Sequence, residues 1–402
     1  MKASLFLAFQ AALTAVLAAP ARDRVRRDTK EFDLVAAPEA DVAALLAEVN
    51  LNADMDDVKA TYNNTLFKGF SGSLTQEEAD FLNAKSEVLV VEPVVPIYAL
   101  ATRGSAPWGL QRISQTARVS GSASARTYTY TYDDTALGRG VDVYVVDTGI
   151  YTSHSEFGGR ARAGYTVFSS NTDDNGHGTH CAGTIAGSTV GVASNANLIA
   201  VKVLDNLGSG TSTGLISGLD YVASTHNTRK SASNFIASVA SMSLGFQSRS
   251  TAVETAVRNL AGAGVHTVVA AGNSATNACT QSPAALGGTG STTVLGIGAS
   301  NINDAVSSFS NTGPCVDVFA PGEGVVSASN AGANSYQSLS GTSMATPHVA
   351  GLVAYLAVGN AGLRQSPSGM KAAVKSGAVS GVLTRNSAYV SGGNLVLANN
   401  AA

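Results

Sequence analysis

Only three cysteines occur in 402 residues, so one thiol is left over if the other two pair. No cysteine and histidine spacing suits zinc or a redox metal. Beyond the first 19 residues no segment is long and apolar enough to cross a membrane. Charge is sparse at 13%, and the net charge is only −3. Residues 101–402 carry 16 basic against 13 acidic groups, a surplus of three that excludes a dedicated nucleic-acid surface. No internal repeat is visible. What remains, 45% hydrophobic residues over this length, suits one large core plus a smaller module.

The chain opens with Lys2 and an apolar run from Leu5 to Ala19 that ends in small residues, the pattern of a secretory signal peptide over residues 1–19. The protein is therefore expected outside the cell, without a membrane anchor. An arginine-rich linker with the pair Arg26-Arg27 follows. From Phe32 to Tyr98 the pattern predicts a strand (Phe32–Ala37), a helix (Asp41–Asn50) and an interrupted strand pair (Val58–Ser73). The capping box Thr75-Gln76-Glu77-Glu78 then opens a second helix, and Val88–Tyr98 closes the unit as a strand. That order is ferredoxin-like α+β. Residues 29–100 hold 13 acidic and 4 basic groups, a net of −9 against +3 for residues 101–402, so the two parts are electrostatically complementary.

Beyond residue 140, Val141–Val146, Leu198–Leu204, Ser238–Leu244, Val265–Ala271 and Val294–Ile297 are continuous apolar runs. Strands buried on both faces of a parallel sheet read this way, and the intervening stretches read as helices. Asp147, Ser243 and Asn273 recur at the carboxyl ends of these runs, where open α/β sheets bind ligands.

Three Gly-flanked motifs carry chemistry: Val145-Val146-Asp147-Thr148-Gly149, Gly176-His177-Gly178-Thr179-His180 and Gly341-Thr342-Ser343-Met344-Ala345. A serine hydroxyl is a weak nucleophile until a base takes its proton, and the base works best when a buried carboxylate fixes its tautomer. Asp147, His177 and Ser343 supply that set. Ser343 stands at the head of an apolar helix running to about Val358, with Pro347 expected in its first turn. The helix N-terminus would direct N–H groups at a developing oxyanion. Cys181 lies one helical turn after His177 and is expected beneath the imidazole, while His180 and His348 are expected to be structural.

These motifs resemble the subtilisin-like serine proteases, in particular their proteinase K branch, for which the order Asp, His, Ser is characteristic. Ala106-Pro107-Trp108-Gly109-Leu110, Ala270-Ala271-Gly272-Asn273 and Phe319-Ala320-Pro321-Gly322 fit the same branch. The resemblance implies a mostly parallel α/β catalytic domain over residues 101–402, and an inhibitory propeptide over residues 20–100 that is cut off between about Tyr98 and Ser105. It implies Asn273 as the second oxyanion donor. Gly208-Ser209-Gly210 and Ser243-Leu244-Gly245 would be the two segments that hold an extended peptide. Phe246 departs from the pattern, since relatives carry a second glycine there. The resemblance further implies a Cys279–Cys315 bridge worth about 3 to 4 kcal/mol, with two free buried thiols as the alternative. Finally, it implies Asp317 as a carboxylate ligand of a structural calcium, with carbonyls near Thr292 and Val294; a solvated aspartate is the other reading. No cofactor is needed for the chemistry.

The function expected is a secreted, self-processed serine endopeptidase acting as a monomer on proteins and peptides, with its own propeptide as inhibitor. A lipase-type α/β-hydrolase would need Ser before Asp before His and a G-x-S-x-G elbow, which Met344 and Ala345 break. A catalytically silent subtilisin-like binding protein would have lost one of Asp147, His177, Ser343 or Asn273, and all four are present.

Overall fold

The computed structural model describes residues 28–94, 100–133 and 137–400. The apolar leader and Arg26-Arg27 lie outside these, as do residues 95–99 of the expected processing segment. Two compact units divide the chain, Met1–Ile97 and Tyr98–Ala402.

In the first unit the order is β1 (Lys30–Ala36), α1 (Val42–Glu48), β2 (Val58–Asn63), β3 (Lys68–Leu74), α2 (Gln76–Asn83) and β4 (Val88–Pro93). The strands form an antiparallel sheet ordered β2-β3-β1-β4. Asp41 caps α1 by accepting from the Ala43 and Ala44 N–H groups. Thr75 and Glu78 close the capping box at α2 in both directions. Phe32, Leu34, Phe70, Leu74 and Leu82 fill the space between sheet and helices.

The second unit begins with β5 (Leu100–Ala106), α3 (Trp108–Arg112) and β6 (Tyr128–Asp133), with β5 and β6 paired antiparallel. The stretch Ser120–Tyr132, rich in Ser, Thr and Tyr, carries Tyr130 fully buried in β6. Next come β7 (Val141–Asp147), β8 (Ala161–Thr166), α4 (His177–Ala186), β9 (Asn197–Lys202), α5 (Ser212–Arg229), β10 (Ala237–Met242), α6 (Thr251–Gly262), β11 (His266–Ala270), β12 (Val294–Ser300) and β13 (Val318–Pro321). A hairpin of β14 (Val325–Ala328) and β15 (Tyr336–Leu339) precedes α7 (Thr342–Gly359), α8 (Pro367–Ser376), β16 (Val379–Ser380) and β17 (Val396–Leu397).

Nine of these strands form one sheet ordered β16-β17-β13-β12-β11-β10-β7-β9-β8, parallel except at the β16–β17 edge. All five apolar runs singled out in the sequence are its central neighbours. Along β7, Val141, Val143 and Val145 enter one core while Tyr144 and Val146 enter the other, so both faces are dry. Helices α4 and α7 pack into the first core, α5 and α6 into the second. Helix α7 is buried on every side, which explains why its sequence is apolar all round. Strand order reverses at β7, which has β9 on one side and β10 on the other; the crevice at their carboxyl ends is where an α/β sheet binds ligands.

Candidate active site

Asp147 ends β7 and is 1% exposed. Its Oδ1 accepts from the Thr148 N–H at 2.7 Å and from His177 Nδ1 at 2.8 Å. The imidazole is the first residue of α4. Gly178 lets the helix come this close, because a Cβ there would lie 2.1 Å from the Gly149 carbonyl oxygen. Burial by itself would lower the His177 pKa, but the Asp147 carboxylate outweighs it, with a smaller contribution from Cys181, and holds the imidazole well above its ordinary 6.5.

The start of α4 has no side-chain cap at Gly176. Asp173 does that work from three residues further back. Its carboxylate accepts from the N–H groups of Gly176 and Thr179, both at 2.8 Å, and from the Thr148 and Thr179 hydroxyls. Thr148 Oγ1 in turn accepts from the Gly178 N–H at 2.9 Å, so β7 and α4 share one buried hydrogen-bond network. The Asp-Asp-Asn-Gly run before His177 is an N-cap signal that a closer reading of the sequence could have used.

Ser343 is the second residue of α7. Its hydroxyl donates to the Ser243 carbonyl at 3.1 Å. Pro347 is the sixth residue of the helix, not in the first turn as expected, so its missing N–H leaves the Ser343 carbonyl without its helical donor. Two side chains replace it: the Ser243 hydroxyl donates at 2.9 Å and the Cys181 thiol at 3.4 Å. The backbone of Ser343 is thereby tied to the end of β10 and to α4. Cys181 is fully buried, burial raises its thiol pKa, and its sulfur lies 4.0 Å from His177 Nδ1.

Asn273 follows β11 and turns its Oδ1 to the Thr342 N–H and hydroxyl, both at 2.8 Å. Its Nδ2 therefore points away from Thr342. A Cβ on Gly341 would lie 3.3 Å from that Nδ2 and 3.5 Å from the Ser343 N–H nitrogen. The bare side of Gly341 is thus a space flanked by two N–H donors next to a serine.

A cleft of about 520 Å³ is lined by His177, by Gly208, Ser209 and Gly210, and by Ser243, Leu244 and Gly245. A smaller one of about 200 Å³ is lined by Gly245, Asn273, Ser282 and Ser343. Phe246 lines both, and its N–H donates to the Ser282 carbonyl at 2.8 Å. His180 and His348 are held neutral by burial, with pKa values of about 3 and about 4, and each is spent on a backbone carbonyl.

Cys279 and Cys315 are bridged, with Cα atoms 5.3 Å apart. Asp317 is 0% exposed, but the positive groups at its carboxylate are lysines: Lys371 Nζ at 3.0 Å and Lys375 Nζ at 3.7 Å. The expected calcium ligand is therefore already neutralised by side chains of α8. Lys202, a charged residue closing the apolar run of β9, is also buried and donates to the Thr148 and Leu204 carbonyls. Sequence reasoning missed both lysines, because a buried ammonium is recognisable only from the carbonyls around it.

Residues 138–392 match the Subtilase family, and residues 24–98 match Peptidase inhibitor I9. The chain is 44% identical to Proteinase R of Parengyodontium album over 314 residues, 77% of this chain and 76% of that one. It is 46% identical to a cuticle-degrading protease of Metarhizium anisopliae over 319 residues, 79% of this chain and 77% of the relative. The crystal structure of a cold adapted subtilisin-like serine proteinase superposes with a TM-score of 0.63 at 40% identity, covering 74% of this chain and all of the other.

Proposed function

Because this chain belongs to the subtilase family of serine proteases and carries an inhibitor I9 segment, we propose that it is a secreted endopeptidase, made as a self-processed precursor, that works through an acyl-enzyme on Ser343. In this reading an extended peptide lies between Gly208-Ser209-Gly210 and Ser243-Leu244-Gly245 as an added strand. Main-chain hydrogen bonds hold it, and the cleft beside Phe246 takes the side chain before the scissile bond.

The Ser343 hydroxyl leaves the Ser243 carbonyl by rotating about its Cα–Cβ bond, passes its proton to His177 Nε2 and attacks the carbonyl carbon. Asp147 holds the imidazole by Nδ1 and stabilises the imidazolium that forms. Negative charge builds on the former carbonyl oxygen, which sits beside Gly341 between the Ser343 N–H and Asn273 Nδ2. The imidazolium then protonates the leaving amine. Water, deprotonated by the same imidazole, releases the acyl group. The observation that carries this reading is the pair of N–H donors 3.3 and 3.5 Å from the vacant side of Gly341. Losing one such donor costs about 2.7 to 4 kcal/mol, a magnitude established for a subtilisin and carried over.

Strand β5 belongs to the catalytic unit, and Arg103 within it donates to the Ser188 and Gly191 carbonyls. Cleavage is accordingly proposed just ahead of β5 or at its first residue, between Tyr98 and Ala101. A Ser343→Ala chain should accumulate as the full-length precursor without hydrolytic activity, while N-terminal sequencing of the active wild type should begin at Ala99 to Ala101. A processed, active Ser343→Ala protein would overturn the assignment.

A further inference from the structure

The buried carboxylate of Asp317 and the loop before β12 build an oxygen cage whose centre is an ammonium group. Lys371, on α8 and 5% exposed, points its Nζ at the carbonyl oxygens of Gly288 (2.9 Å), Ser291 (2.7 Å) and Val294 (2.8 Å). Asp317 Oδ2 completes the set at 3.0 Å. That same oxygen accepts from the N–H groups of Gly288 (2.8 Å) and Gly296 (3.0 Å). The other oxygen, Oδ1, makes no hydrogen bond and faces Lys375 Nζ at 3.7 Å.

Three carbonyls and one carboxylate converging on a point are what a hard divalent cation asks for, but the details fit an ammonium instead. Calcium sits about 2.3 to 2.6 Å from its oxygen ligands. Here there are four oxygens at 2.7 to 3.0 Å, the distances of charge-assisted N–H···O bonds. Two lysines against one aspartate leave this cluster at a net +1, so an arriving divalent cation meets repulsion and has to expel Lys371. Gly287, Gly288 and Gly290 make this loop intrinsically pliant, and besides the Lys371 cage it is held by the Thr289 N–H on the Pro314 carbonyl (2.9 Å) and by Arg258 on the Gly290 carbonyl (3.0 Å). It also continues directly from Ser282 and Ala284, which line the smaller substrate cleft.

We propose that Lys371 is a covalently tethered replacement for a divalent cation, fixing the loop 287–293 and the cleft wall that leads into it, so that this protease keeps that loop ordered where calcium is scarce or chelated. A tethered ammonium does not dissociate on dilution, and no chelator removes it.

The test uses mature enzyme sulfonylated at its serine with phenylmethylsulfonyl fluoride to stop autolysis. Amide hydrogen exchange is read over residues 284–296, in EDTA and in millimolar calcium chloride, for the wild type and for a Lys371→Ala/Lys375→Ala variant. In the wild type, exchange in this loop should be the same in both solutions. In the variant, exchange in EDTA should be faster by roughly tenfold or more, with Tm lower by about 5 to 10 °C. Calcium should slow it again, because the vacated cage then presents Asp317 and three carbonyls. Should the variant not fold, the wild-type comparison decides alone. Wild-type loop exchange that calcium slows and EDTA restores would overturn the proposal. So would a variant whose loop exchanges as the wild type does in EDTA, or one that calcium leaves unchanged.

Discussion

Gly341 matters for what it lacks. Its missing Cβ would fall within 3.5 Å of both N–H groups that face the space beside Ser343, so a methyl there would occupy the place that the proposed mechanism gives to the reacting oxygen. Gly341→Ala should therefore lower kcat by about 10²- to 10³-fold, comparable to losing an oxyanion donor. Tm should fall as well, because φ 158° and ψ 162° at this position are backbone angles that residues other than glycine rarely adopt; kcat is therefore read well below the variant's Tm, and an unchanged kcat would show that the oxyanion forms elsewhere. His177 gives a second prediction at this scale. Its pKa is raised well above 6.5, and the base is available only when neutral, so the acid limb of kcat/KM should lie on the alkaline side of that value. In Asp147→Asn, whose residual activity should be about 10⁴-fold lower by analogy with subtilisin, the limb should move to lower pH. An acid limb at or below 6.5 in the wild type would contradict the electrostatics. For stability the sign runs the other way. A raised folded pKa means that the contribution of the His177–Asp147 pair is fully present below the unfolded pKa and is lost as pH rises through the folded one.

At the scale of elements, catalysis depends on how three ends are held together: the end of β7, the start of α4 and the start of α7. Asp173 bridges the first two and is 3% exposed. Asp173→Ala would orphan the buried Gly176 and Thr179 N–H groups and leave the Thr148 hydroxyl without its acceptor. A destabilisation of about 2 to 4 kcal/mol follows from the cost of unmet buried donors. Activity should fall as well, because His177 sits in the first turn that Asp173 secures. Denaturant unfolding with parallel kinetics checks both, and wild-type stability in the variant would show that the network is dispensable. The third end is held by a helix defect. Pro347 frees the Ser343 carbonyl, and Ser243 and Cys181 fill the vacancy from two other elements. The disruption of α7 is thus part of what fixes Ser343.

For the whole molecule, the catalytic unit is a sheet dry on both faces, and its outlying loops are fastened by three different devices: a disulfide, a buried ammonium and the edge strands β16 and β17. The Cys279–Cys315 bridge spans a sequence separation of 36 residues. Replacing both cysteines by serine should cost about 3 to 4 kcal/mol by the loop-entropy argument. Thermal unfolding of the oxidised wild type against the double variant measures this, and equal Tm values would refute it. The inhibitor segment is a separate unit with its own core, and its order of elements was legible from alternation and capping residues alone.

Periodicity and residue type settled much of this protein before any fold was known. Short continuous apolar runs, four to eight residues long, suit strands buried on both faces, and five of them proved to be the centre of the main sheet. Three Gly-flanked motifs pointed to Asp147, His177 and Ser343, because Gly marks places where backbones approach closely. Strand β8 escaped notice because only one of its six residues is fully buried, and β13 because it is four residues long. What tertiary structure alone decided are the contacts in which one side chain replaces a partner that the local backbone lacks. Ser243 stands in for the N–H that Pro347 does not have, Asp173 for a missing N-cap, and Lys371 for the cation that Asp317 would otherwise call for. Such substitutions depend on distances between residues far apart in the chain, and no local pattern encodes those distances.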